Sequence, residues 1–93
     1  MQTIRKRIKS SDYKEVERDG DMTIVRWDAT PEIVTVPSKK KGGEETTKET
    51  GYVICSERVY LKPVTKKKVQ EDIDKDLALR YPNGDAPKIK AKL

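Results

Sequence analysis

Apolar and polar positions alternate along most of this chain, and a helical period appears only in its last third. In "TIRKRIK" (3–9), Ile4, Lys6 and Ile8 share one face of an extended strand and Arg5, Arg7 and Lys9 the other, although a helix would also align Ile4 with Ile8. The next stretch, "DYKEVERDGDMTIVRWDA" (12–29), holds two strand-like runs around Asp19-Gly20, a dipeptide that supplies the positive φ of a tight hairpin turn. Thr23, Val25 and Trp27 then fall on one face and Met22, Ile24 and Arg26 on the other. Pro31 is expected to end that strand, and "EIVTV" (32–36) to begin another. "GYVICSERVYL" (51–61) is the stretch densest in β-formers and reads as a central strand, with Glu57-Arg58 marking a bend or a bulge.

The period changes in "PVTKKKVQEDIDKDLALRYPNG" (63–84). Val69, Ile73 and Leu77 recur at i, i+4 and i+8, Thr65 can cap the helix, and Pro82-Asn83-Gly84 stops it. Lys66, Lys67 and Lys68 fill the first turn, where the positive helix end disfavours cations by about 0.3–1 kcal/mol each. Either the helix starts later than Thr65, or these lysines are solvated, or they meet an anion. The tail "DAPKIKAKL" (85–93) alternates strictly, Ile89, Ala91 and Leu93 against Lys88, Lys90 and Lys92. That pattern suits a strand on a sheet edge or a frayed basic tail.

These elements predict an α+β fold: a twisted, mostly antiparallel sheet of four to five strands, with one C-terminal helix (about 65–81) packed on a face. Residues 1–81 form a single small β-rich domain and 82–93 a basic tail. Val69, Ile73, Leu77 and Tyr81 should meet Val25, Trp27, Val34, Val53, Cys55 and Val59.

The segment 38–51 reads either as a flexible loop or as a projecting hairpin tip. Gly42-Gly43 would make a two-residue turn that sets Lys41 opposite Glu44 and Lys40 opposite Glu45. Lys39, Lys40, Lys41 and Lys48 are nearly balanced by Glu44, Glu45 and Glu49, which makes this a poor arm for nucleic acid and a better surface for protein.

Composition narrows the function classes. Of 93 residues, 33% are apolar and 40% charged, so a single domain with a thin core, completed by a neighbouring subunit, is expected. Eight Val and seven Ile favour pleated surfaces. The 21 basic residues exceed the 16 acidic ones, for a net charge of +5. The single cysteine allows no internal disulfide, and no apolar run approaches a membrane span, so a cytoplasmic protein, or one in a virion assembled in the cytoplasm, is expected.

Catalytic chemistry finds little support. The chain has no histidine, and Cys55 lies in an apolar run where thiols are usually inert. Asp72, Asp74 and Asp76 imitate the opening of a calcium loop, but Leu77 and Asn83 occupy the positions that need glycine and glutamate. These acids read better as a solvated helix face, with Glu71–Lys75 and Asp76–Arg80 as supporting pairs. No metal, cofactor or small-molecule substrate is expected. A polyanion surface could draw on Arg5, Arg7, Lys9, Lys66, Lys67 and Lys68, and protein contacts on Lys39, Lys40, Lys41, Glu44, Glu45, Ile89 and Leu93.

The run "SSDYKEVERDGDMTIVRWDA", followed by "GYVICSERVY", resembles small accessory proteins encoded among the head and tail genes of tailed phages and related mobile elements. The resemblance implies a small β-rich protein used in assembly or host interaction. The expected function is therefore a non-enzymatic structural or protein-interaction module acting as an oligomer. A small nucleic-acid-binding protein is the alternative, and an inhibitor of a host defence protein the third.

Overall fold

Residues 22–36 and 46–60 are rich in β-branched side chains and pair with each other as one long antiparallel hairpin, around which the rest of the chain is arranged. The structure is a computed structural model that describes residues 2–37, 42 and 45–93. Its elements are β1 (Ile4–Lys9), a 3₁₀ turn (Ser10–Asp12), β2 (Val16–Asp19), β3 (Met22–Val36), β4 (Thr46–Tyr60) and α1 (Lys66–Arg80). The strands form an open, wholly antiparallel sheet in the order β1-β4-β3-β2, and the single helix follows them, so the fold is α+β. β1 and β2 lie on opposite edges, and residues 10–15 cross between them. Arg26 fixes that crossing: its Nη1 donates to the Lys14 carbonyl at 3.0 Å, and its backbone N–H to the Glu15 carbonyl at 2.8 Å.

β2 and β3 meet in a two-residue turn. Asp19 pairs with Met22, so Gly20-Asp21 fills the loop one position later than expected, and Gly20 takes the positive φ of 60°. Pro31 does not end β3. β2 pairs with β3 only as far as Val25, which leaves the outer edge of β3 open at Pro31, where a missing N–H costs no ladder bond. Glu57-Arg58 is regular. The irregularities lie instead at Trp27/Thr30, where Asp28 has φ 53°, and at Pro31/Ile33, opposite Gly51 with φ 86°. The latter shifts the hairpin register, so Val36 stands opposite Thr46, whereas a two-residue Gly42-Gly43 turn would set it against Glu49. The expected Lys41–Glu44 and Lys40–Glu45 pairings lie outside the described residues.

One sheet face carries α1. Val69, Ile73 and Leu77 pack with Val25, Trp27 and Ala91, and Tyr60, Val64, Tyr81, Ile89 and Leu93 flank them. The helix stripe and the β3 face agree with the sequence reading. The β4 contribution does not: Trp27 pairs with Ser56 and Val25 with Arg58, so even-numbered β4 residues face α1. Cys55 is fully buried, but by alternation it lies on the other face, with Val53 and Val59. Val34 lies beyond the helix and is exposed.

The helix begins at Lys66, and the Thr65 hydroxyl accepts from the Lys68 N–H at 3.2 Å. The tail forms no ladder. It runs along α1, where the Gln70 amide donates to the Ile89 carbonyl and accepts from the Ala91 N–H, each at 2.8 Å. Lys92 pairs with Glu15 at 3.7 Å, so this segment closes the gap between α1 and the β2 side of the sheet. The alternation of 88–92 therefore serves packing: Ala91 enters the core and the lysines stay outside.

Candidate functional site

The face that joins α1 to the sheet is polar as well as apolar. Asp72 and Asp76 sit beside the stripe of Val69, Ile73 and Leu77, within the arc turned toward the sheet. They are therefore not a solvated face, as expected from sequence; Asp74 is exposed. Asp76 Oδ2 accepts from Trp27 Nε1 at 2.8 Å, from Ser56 Oγ at 2.6 Å and from the Arg80 guanidinium at 3.0 Å. Burial pushes its carboxyl up, but the bonds from Arg80, Ser56 and Trp27 outweigh burial and hold it below the usual range. Asp72 is governed by the same balance, with Tyr60 Oη at 2.6 Å and Lys68 Nζ at 3.2 Å as donors. Arg58 Nε lies 3.4 Å from Asp72, an ion-pair contact without hydrogen-bond geometry, so that buried N–H makes no hydrogen bond. Of the two helix pairs read from sequence, Asp76–Arg80 forms.

On the opposite face Arg26 lies between Glu57 and Glu17, at 2.8 and 2.9 Å, and Glu57 also meets Lys6 at 3.5 Å. All its charges are paired, so this is a structural network (breaking one partner leaves an uncompensated buried charge). Cys55 beside it has its thiol pushed up, chiefly by burial, which suits packing and not nucleophilic attack. Tyr13 is pushed up to about 12, again chiefly by burial. Among the described residues no three His, Cys, Asp or Glu side chains gather as a metal-ligand cluster. No helix among the described residues is long and apolar enough to cross a membrane.

The expected polyanion residues do not converge. Arg5 donates to Ser56 Oγ at 2.9 Å. Arg7 binds Glu32 at 2.8 Å and stacks on the Tyr52 ring, 3.6 Å from its centroid. Lys68 pairs with Asp72. Lys9, Lys66 and Lys67 are exposed, but Lys9 pairs with Tyr52 in the ladder while Lys66 and Lys67 open α1 after the opposite end of β4. Among the expected partner contacts, Ile89 and Leu93 are half-buried within the molecule and Glu45 is exposed. Lys39, Lys40, Lys41 and Glu44 lie outside the described residues.

Among the described residues, Ile4, Leu61 and Leu79 are exposed singly, while the outer part of the β3–β4 hairpin exposes three large apolar side chains together. β1 pairs with β4 only from Tyr52 onward and β2 with β3 only to Val25, so residues 32–36 and 46–50 form a two-stranded ribbon with both outer edges open. Ile33 and Val34 point to opposite faces of it, and both are exposed, at 58% and 44%, with Val36 at 38%. Its base is fastened to β1: Glu32 accepts from Arg7 and from Thr50 Oγ1, and these bonds, Thr50 first, hold its carboxyl low. The sequence signal for this surface was the uncharged run "IVTVP" beside "TTKETG", which lacks partners enough to bury two faces. Compared with family models, curated proteins and solved structures, the chain matches none.

Proposed function

We propose that this protein is a non-enzymatic interaction module of phage-like assemblies, acting as an oligomer and docking to protein through the β3–β4 ribbon. The observation that supports this reading most is apolar exposure on both faces of a ribbon whose two edges are open. Two-stranded ribbons are marginal alone in water and gain stability from a covering surface. The buried ion pairs, with Asp72 and Asp76 of the helix, hold the body together, and the ribbon is an element open to a partner.

Nucleic-acid binding is the second reading, favoured by Lys9, Lys66 and Lys67, which make no ion pair among the described residues. It is weaker because Arg5, Arg7 and Lys68 are already engaged. Paired variants separate the two. Ile33→Lys should abolish association seen by sedimentation and leave retention of single-stranded DNA unchanged. Lys66→Glu with Lys67→Glu should leave association unchanged. Loss of DNA retention in the lysine variant, with unchanged sedimentation of Ile33→Lys, would favour the second reading.

A further inference from the structure

Four stretches of strand edge are open in this sheet, and their charges differ. The outer edge of β1 carries Arg5, Lys6, Arg7 and Lys9. β2, with the residues beside it, carries Glu15, Glu17, Arg18, Asp19 and Asp21. The free part of β4 carries Lys48 and Glu49. The outermost part of β3, beyond Glu32, carries no charge and reads Ile-Val-Thr-Val over residues 33–36. An antiparallel pair formed by two copies of one strand is two-fold symmetric: the central residue meets its own copy, and residues equally far from it on either side meet each other. Charged edges oppose such pairing, since like charges directly opposite destabilise a sheet. The edge of β3 is the one that does not.

Its limits are also symmetric. Pro31 and Pro37, neither of which can donate to a ladder, bracket residues 32–36, and Val34 stands midway between them. We infer that two copies of this chain join edge to edge along β3, antiparallel, with Val34 of one facing Val34 of the other and the two sheets made continuous. In that register Glu32 faces Val36 and Ile33 faces Thr35, so no like charges meet. Glu32 keeps its internal bonds to Arg7 and Thr50. The partner for this ribbon edge is thus a second copy, held by main-chain hydrogen bonds and by Ile33, Val34 and Val36 on the two faces. This deepens the proposed function and rests on it.

A single cysteine at the symmetry centre tests the register directly. Residues directly opposed in an antiparallel pair have Cα atoms about 4.5–5.5 Å apart, within the range of about 4.4–6.8 Å that a disulfide spans. Cys55 is fully buried and does not compete. Full-length Val34→Cys, oxidised mildly, should give a covalent dimer, whereas Arg5→Cys on the β1 edge should not. Val34→Lys should weaken self-association about tenfold or more, as two lysines would face each other. Should a substitution disturb folding, hydrogen exchange on the unaltered protein gives the same answer: amides in 33–36 should slow in concentrated relative to dilute solution. A nucleic-acid-free oligomer with no Val34→Cys crosslink and no such slowing overturns the edge pairing and leaves the assembly reading standing. A protein monomeric at every concentration overturns both.

Discussion

Asp76 gathers donors from three elements: the indole of Trp27 on β3, the hydroxyl of Ser56 on β4 and the guanidinium of Arg80 one turn along α1. A half-buried carboxylate of this kind fixes how the helix sits on the sheet, because it satisfies two buried donors at once. Asp76→Asn keeps the volume but removes the charge, and should cost about 2–4 kcal/mol in urea unfolding. Asp72 and Asp76 are both held below their unfolded values, so their stabilisation is present above about pH 4 and is lost as pH falls through their lower folded values. The urea midpoint should therefore fall steeply below pH 4, and less steeply in Asp76→Asn. A midpoint indifferent to acid would contradict these assignments. The inward aim of both acids was legible in principle, since positions 69, 72, 73, 76 and 77 make one helix face. Reading only the apolar members of that face hid it, although a buried tryptophan and tyrosine need acceptors.

At the scale of elements, strands and helix could be read from alternation and capping: the faces of β3, the cap at Thr65 and the apolar stripe of α1 all follow from local chemistry. Register could not. The irregularities at Asp28 and Gly51 shift the pairing between the helix-facing part of the hairpin and its tip, and the one at Asp28, a one-residue shift, breaks the alternation of β3. The tail shows the same limit, because its alternation cannot say whether a sheet edge or a helix receives it. Here the receiver is the Gln70 amide. Gln70→Ala removes both bonds and should speed tryptic cleavage after Lys88 and Lys90 several-fold, while the free energy of unfolding falls by only about 1–2 kcal/mol. Equal cleavage rates would show the tail held by other contacts. The first turn of α1 holds three lysines and no acid. Lys66→Glu with Lys67→Glu should stabilise the protein by about 0.5–1.5 kcal/mol at low salt, measured by thermal unfolding. A loss of stability would mean that these lysines have a partner.

At the scale of the whole molecule, the dimensions of 57 × 33 × 19 Å describe a thin body extended by a ribbon. The body uses its polar groups internally: Arg26, Glu57 and Glu17 on one face, Asp72, Asp76 and Arg80 on the other. The ribbon does not bury its apolar groups, and the sequence explains why, since a chain that is 40% charged has few apolar residues left for a second layer. Function was less legible than fold because the feature on which the proposal rests is an edge left open, which depends on where β1 and β2 stop pairing. The proposed function requires that this chain associate with protein and not with nucleic acid. Light scattering after size exclusion, with absorbance read at both protein and nucleic-acid wavelengths over a range of concentrations, tests it most directly. A defined oligomer, free of nucleic acid and unchanged by salt, is expected; a monomer at every concentration, or a species that carries nucleic acid and releases it as salt rises, would overturn the proposed function.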